Sequence, residues 1–208
     1  MRKLFLTLNL IFIVATFAFG QKVQYGLKAG FGFATQDIDN QDVSANSVTT
    51  YYINGYADLH LKSKFYLQAG IGVLGKGAKQ YQNAQTNTIT LTYLEVPATL
   101  LYKIDLPTLG KIYVGAGPYA AMGLSGNNQL ENVNTTSGSS ITFGNDGGYK
   151  KVDYGVNFAT GLELNNHLTF NMRYSLGLNN IATDNDPVNT NTNSVKNQIF
   201  TIGLGFWL

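Results

Sequence analysis

Nine charged side chains within the regular segments of this chain share one face of those segments, where they could form an ion-pair network. They alternate with apolar residues and are Lys28, Lys62, Lys103, Lys151, Arg173, Asp58, Glu95, Asp153 and Glu163. Opposite charges in a narrow, poorly hydrated space pair with one another, because an unpaired buried charge is costly. We therefore predict a structural polar cluster of Lys28, Asp58, Glu95, Asp153, Glu163 and Arg173. The alternative is a proton or ion relay, which would need continuous water between these groups.

Residues suited to catalysis or metal binding are sparse. Neither His60 nor His167 has a serine or an acid at a recognisable triad spacing, so we predict no catalytic residues. One polar connection has the composition of a calcium site but lacks the spacing and terminal Glu of an EF-hand. Its candidate ligands are Asp37, Asp39, Asn40 and Asp42. We interpret them as solvated loop residues and predict no metal site and no cofactor.

Composition narrows the class of protein further. There is no cysteine, which excludes thiolate chemistry, disulfides and a lipoprotein anchor. Charged residues make up only 12% of the chain, about half the share in an ordinary soluble protein. Without Arg2 and Lys3 the 14 basic residues become 12, equal to the 12 acidic residues. A neutral chain of this kind is not expected to bind nucleic acid.

The N-terminus has the pattern of an export signal. Two basic residues precede an apolar stretch, Leu4–Phe19, and Ala18-Phe19-Gly20 is a small-x-small cleavage site. We predict that residues 1–20 are a signal peptide and that the mature chain begins at Gln21. An uncleaved helical anchor is the alternative, although the apolar stretch is slightly short to span a bilayer.

Strict alternation of apolar with small or polar residues is the dominant pattern in the rest of the chain, and it predicts strands. The eight alternating segments are Val23–Ala34, Tyr51–Lys62, Phe65–Val73, Ile89–Ile104, Lys111–Leu124, Lys151–Leu164, His167–Asn179 and Lys196–Leu208. Proline cannot donate to a strand ladder, so we expect a bulge or local irregularity at Pro97.

The glycines indicate which face points inward. Of the fourteen glycines in these segments, only Gly55 lies on the apolar face. An eight-stranded barrel has an interior just wide enough for side chains, so bulky inward residues such as Tyr66 and Tyr113 need glycine neighbours. The apolar face must then be outside, against lipid. We predict an all-β fold in which residues 21–208 form one eight-stranded antiparallel up-and-down transmembrane β-barrel.

The connections between the segments alternate in length. Short turns are expected near Ser63, at Leu106–Gly110 and at Asn165-Asn166. Long polar connections are expected at about 35–49, 75–88, 125–149 and 181–195. Short periplasmic turns and long extracellular loops are typical of outer-membrane barrels. Both termini are then predicted on the periplasmic side.

Five short motifs resemble the PorT-like outer-membrane β-barrel family of Bacteroidetes. They are Tyr25–Gly30, Tyr93–Pro97, Gly115–Tyr119, Asp153–Gly155 and Arg173–Ile181. The resemblance covers nearly all of the mature chain and implies an outer-membrane location and an eight-stranded barrel. It implies little about activity, because within this group only the namesake is tied to protein secretion.

These patterns together favour an integral outer-membrane protein with a filled polar lumen and a structural or extracellular-loop binding role. The lipid bilayer is its expected partner, and an extracellular ligand or a secretion-machinery partner stays unidentified. One alternative is a transport-associated barrel, either a narrow pore or a secretion accessory. The other is a soluble ligand-binding barrel of lipocalin type.

Overall fold

The computed structural model describes residues 23–38, 44–82, 85–131, 136–144, 148–183 and 194–208. Its strands are β1 (Val23–Ile38), β2 (Ser44–Asn46), β3 (Val48–Lys62), β4 (Phe65–Gln82), β5 (Gln85–Leu106), β6 (Gly110–Glu131), β7 (Thr136–Ile141), β8 (Val152–Leu164), β9 (Leu168–Gly177) and β10 (Val195–Trp207). Within these ranges there is no helix long and apolar enough to cross a membrane. The predicted signal peptide lies outside the described residues.

Eight of the strands form a closed antiparallel ring, in the order β1, β3, β4, β5, β6, β8, β9 and β10. The pairing of β1 with β10 closes the ring, and Leu27 lies opposite Phe206 in it. The short strands β2 and β7 pair with β4 and β6 respectively, beyond the ring. Ring neighbours follow one another along the chain, so the predicted eight-stranded up-and-down barrel is confirmed.

The outer wall of the ring is apolar and its interior is polar. Leu27, Val114 and Leu204 are 63%, 53% and 58% exposed, whereas Lys28 and Glu95 are buried. This arrangement is the opposite of a lipocalin-type barrel, in which apolar side chains would fill the inside. The outward side chains therefore meet hydrocarbon, and the ring spans the membrane.

Inward glycines make room for inward tyrosines. A Cβ at Gly161 would overlap the Tyr113 hydroxyl, and a Cβ at Gly26 would overlap the ring of Tyr56. The Tyr113 side chain is almost fully buried. Because the interior of an eight-stranded ring is so narrow, each large inward residue occupies the space left by a glycine on a neighbouring strand.

Two strand pairs extend well beyond the predicted boundaries on the extracellular side. The region predicted as a long connection at 75–88 is a hairpin instead, in which β4 and β5 stay paired up to Gln82 and Gln85. Likewise β6 continues to Glu131 and pairs with β7. The three short turns on the periplasmic side were predicted correctly.

The inward and outward faces exchange polarity along β5. On the periplasmic side of this exchange, which we call below it, Val96 and Leu100 point outward and are exposed. Above it, Ile89 and Leu91 are apolar but point inward and are fully buried, while the alternating threonines point outward. We call the part above this level the upper sheet; it consists of residues 75–82 of β4, 85–93 of β5, 125–131 of β6, and β7. Alternation continues there with the polarity of the two faces exchanged, which is why a lipid-facing pattern placed the end of β4 at Val73 and the start of β5 at Ile89.

Pro97 interrupts the β4–β5 ladder, which is the predicted local irregularity, but it does not produce a bulge. The β4–β5 register is the same on both sides of it, since Gly72 lies opposite Glu95 and Ala69 opposite Ala98. A missing N–H removes a ladder hydrogen bond without adding a residue to either strand, so the register is kept. The register shift between β5 and β6 falls instead between Thr92 and Tyr93, at the level where the faces exchange polarity.

Candidate functional site

The charged residues of the interior form two separate groups. We call the first the lower cluster; it consists of Lys28, Asp58, Gln68, Lys103 and Glu163. At its centre, Lys103 Nζ donates to Asp58 Oδ2 at 2.5 Å and to Glu163 Oε1 at 2.6 Å. All three side chains are largely excluded from water. One ammonium therefore forms ion pairs with two carboxylates at the periplasmic end of the lumen.

The second cation of the lower cluster balances its charge. Lys28 Nζ donates to Gln68 Oε1 at 2.7 Å, and Gln68 Nε2 donates to Asp58 Oδ1 at 3.1 Å. The Lys28 ammonium also lies 4.4 Å from the centroid of the Tyr56 ring, within cation–π range. Two lysines and two carboxylates thus form a neutral, hydrogen-bonded group linked through an amide.

The upper cluster consists of Lys76, Glu95, Asp153, Arg173 and Asn197. Lys76 Nζ lies 2.9 Å from Asp153 Oδ2 and 3.4 Å from Glu95 Oε2. Arg173 Nη1 contacts Glu95 Oε1 at 2.9 Å, and Asn197 Nδ2 donates to Asp153 Oδ2 at 3.0 Å. This group is also neutral, because its two cations face two carboxylates.

The structure brings all six predicted site residues into the lumen but divides them between the two clusters. Lys28, Asp58 and Glu163 belong to the lower cluster, whereas Glu95, Asp153 and Arg173 belong to the upper one.

Three lysines show where sequence reasoning failed. Lys62 and Lys151 were expected on the inward face, but both are exposed and lie outside the two clusters. Lys76 was missed, although it is 1% exposed and contacts two carboxylates. It falls in the region that was taken for a loop. Continued alternation around it, with apolar Leu74 and Ala78 on the same face, is the signal that could have found it.

The space between the two clusters is small. A cavity of about 30 Å³ lies there, bounded among others by Lys28, Arg173, Asn171 and Tyr56. Asn171 Nδ2 and the Tyr56 hydroxyl have no protein hydrogen-bond partner. A volume of this size holds roughly two water molecules, which would satisfy such atoms. The cavity is therefore large enough for internal water and too small to be a channel.

Around the upper cluster and above it, the barrel is closed by an apolar core, which we call the plug. Its buried members are Ala34, Val48, Tyr52, Leu74, Ile89, Leu91, Tyr93, Tyr119, Ala121, Tyr149, Ile181, Ala182, Val195 and Ile199. Six of the eight ring strands contribute to it, so it reaches across the lumen. The connections after β7 and β9 add to it from above, through backbone bridges of Tyr149 to Phe143 and Ala182.

The remaining candidates for chemistry do not form a site. The His60 ring contacts the Ser63 carbonyl oxygen at 2.8 Å, and the His167 ring contacts the Trp207 carbonyl oxygen at 2.9 Å. Both histidines lie at the periplasmic end, beside aromatic rings. Asp37 is exposed, and Asp39–Asp42 fall outside the described residues. Among the described residues there is no group of three or more side chains suited to a metal ion.

Comparison with solved structures finds barrels of similar topology at low identity. Ail of Yersinia pestis is 10% identical, with 90% of this chain and 99% of that chain covered and a TM-score of 0.45. OprG of Pseudomonas aeruginosa is 13% identical, with 90% and 97% covered and a TM-score of 0.46. Neisserial surface protein A is 11% identical, with 89% and 98% covered and a TM-score of 0.43. No curated protein sequence matches the chain.

A family model gives the assignment. The model described as the outer membrane protein beta-barrel domain matches residues 19–183, which is most of the chain. The match agrees with a closed ring whose outer wall is apolar and whose lumen is polar. The chain belongs to the family of outer membrane protein beta-barrel domains and is an integral protein of the cell outer membrane.

Proposed function

We propose that this protein is a closed, non-conducting outer-membrane barrel whose role is structural or is carried by its extracellular surface. The observation that supports this is the filling of the lumen. Two neutral ion-pair clusters occupy the lower and middle lumen, about 30 Å³ of space separates them, and the apolar plug closes the outer end. Moving an ion through this path would require breaking buried ion pairs and hydrating an apolar core.

Single-channel recording tests this proposal. The purified protein is inserted into planar bilayers, and its insertion is verified by heat-dependent gel migration of the same sample. We expect a current equal to that of the protein-free bilayer. Stable conductance steps in the wild-type protein would favour the transport-associated alternative and overturn a closed lumen.

We also infer that the protein is not an enzyme. The ring nitrogens of His60 and His167 contact backbone carbonyls, and the buried carboxylates are held in ion pairs. A carboxylate that is fixed by a lysine inside a filled lumen has no path to a substrate. Incubation of the folded protein with lipid, ester and peptide substrates should give no turnover above that of a heat-unfolded sample.

A secretion accessory of the PorT-like kind is the second candidate. Its support is the resemblance of five motifs to the PorT-like family, and four of these motifs meet at one place in the lumen. Glu95, Asp153 and Arg173 come from three of them and form the upper cluster, while Tyr119 from a fourth lies beneath the Lys76 ammonium at 4.1 Å from the ring centroid. The motifs thus specify interior packing. Deletion of the gene followed by analysis of secreted proteins would separate this role from a structural one: loss of secreted proteins favours the accessory.

A further inference from the structure

The outward face of the upper sheet is a continuous polar surface that neither the lumen nor the plug uses. On β5, Thr86, Thr88, Thr90 and Thr92 point outward in an unbroken row, opposite to the buried Ile89 and Leu91. The next strand places Asn127 opposite Thr90 and Gln129 opposite Thr88. Hydroxyl and carboxamide groups therefore stand side by side across two neighbouring strands.

This surface carries little charge. Across the outward positions of the upper sheet, the described charged residues are Lys79 on β4 and Glu131 on β6, which cancel. Threonine, asparagine and glutamine side chains can each donate and accept hydrogen bonds. A surface of this kind matches a ligand rich in hydroxyl groups, and it offers no cluster of cations to a phosphate.

The polar surface is continuous with the lipid-facing wall. Thr92 and Ser125 pair directly above Leu94 and Met122, which belong to the outward apolar face of the barrel. The threonines of β5 thus stand over the surrounding outer leaflet and face sideways, toward its headgroups.

The height of the surface distinguishes between headgroups. From Thr92 to Thr86 the strand rises about 20 Å, or roughly 15 Å along the membrane normal for a typical barrel tilt. A phospholipid headgroup layer is only about 5–8 Å thick and would leave the upper threonines uncovered. A lipid that carries several sugars is tall enough to reach the whole row.

We infer that the outward face of the upper sheet binds the saccharide headgroup of a glycolipid in the surrounding outer leaflet. Sugar hydroxyls exchange hydrogen bonds with the threonine and carboxamide row while the acyl chains lie against the apolar wall below. The inference is independent of whether the lumen conducts.

Titration of detergent-solubilised protein with labelled lipopolysaccharide that has a complete core saccharide tests this inference. The test variant is Thr88→Val, Thr90→Val and Thr92→Val, which removes three hydroxyls but keeps side-chain shape and a high strand propensity. We expect its apparent dissociation constant to be roughly tenfold higher than that of the wild type, as for the loss of about three modest hydrogen bonds.

Two further binding measurements identify which part of the lipopolysaccharide is bound and which face of the sheet binds it. Lipid A, which has the phosphates and acyl chains without the core saccharide, should bind the wild type and the triple variant equally weakly. The matched control is Ser137→Ala with Ser139→Ala, because these β7 hydroxyls lie on the opposite face of the same sheet. This control should bind like the wild type.

Three results would each overturn the inference: undiminished binding of the complete lipopolysaccharide by the triple variant, equally tight binding of lipid A by the wild type, or a loss in the control as large as in the triple variant. None of these results bears on bilayer conductance, so the inference and the proposed function can fail separately.

Discussion

The membrane-spanning ring and the upper sheet are made from the same strands but distribute polarity in opposite ways. In the ring, Leu100 of β5 is outward and exposed while Glu95 is buried. In the upper sheet, Leu91 of the same strand is buried while its threonine neighbours face out. The backbone alternates identically in both regions. What differs is the surrounding medium, because hydrocarbon favours apolar side chains outside and water favours them inside.

The interiors differ for the same reason. Below the exchange of polarity, the inward positions hold buried charges that are stabilised by pairing, as for Lys103 with Asp58 and Glu163. Above it, an apolar core around Tyr93 and Ile199 lies beside buried polar residues such as Lys76 and Gln80. The plug therefore resembles the core of a water-soluble sheet placed on top of a membrane barrel, and it closes the lumen without any charged gate.

The largest effect on the free energy of unfolding is expected from removing the Lys103 ammonium at the centre of the lower cluster. Lys103→Met leaves Asp58 and Glu163 buried together without the ammonium that contacts both, and Lys28 reaches Asp58 only through Gln68, so the free energy of unfolding should fall by about 3–5 kcal/mol. Urea unfolding of the protein in phospholipid vesicles measures the change. The matched control is Lys151→Met, whose side chain is exposed and should shift stability by less than about 0.5 kcal/mol. Similar losses of unfolding free energy in both variants would show that the buried ion pairs of the lower cluster contribute no more to stability than an exposed lysine does.

The next largest effect is expected from placing a lysine on the outward face of β5, once in the ring and once in the upper sheet. Leu100→Lys puts an ammonium against hydrocarbon and should cost about 2–4 kcal/mol if that position lies near the bilayer centre. Thr90→Lys puts the same group in the upper sheet, facing the hydrated headgroup region above the hydrocarbon, and should cost less than about 0.5 kcal/mol. The same vesicle unfolding assay compares them. Equal costs would mean that the membrane boundary does not lie between these two residues.

The faces of the ring could be predicted from the sequence, because alternation and glycine placement need no knowledge of neighbouring strands. Lys28 and Glu95 were assigned inward on that basis, and both are buried. The upper sheet could not be predicted in the same way, since a lipid-facing pattern was required of every strand. Residues such as Leu74 and Ala78 obey the opposite pattern, so β4 was predicted to end at Val73 and β5 to begin at Ile89, four residues after its observed start at Gln85.

The division of the lumen into two clusters lay beyond sequence reasoning for a different reason. Which inward charges meet depends on the height at which each strand sits against its neighbours, and alternation alone fixes only the face. Lys103 reaches Asp58 across 45 positions in the chain and Glu163 across 60. Lys151 lies at a strand end and points away, which its place in an alternating segment did not reveal.

The smallest expected effect concerns two glycines, one that leaves room for a neighbouring side chain in the ring and one on β7 that does not. Gly161→Ala would place a methyl group against the Tyr113 hydroxyl in the filled lumen, so overpacking should cost about 1–3 kcal/mol. Gly138 lies on β7, where an added Cβ has only the Asn128 carbonyl oxygen near it, at 3.9 Å. Gly138→Ala should therefore change stability by less than about 0.5 kcal/mol or raise it slightly. If Gly161→Ala were equally harmless in vesicle unfolding, the narrowness of the lumen would not be the reason why glycines occupy the inward face.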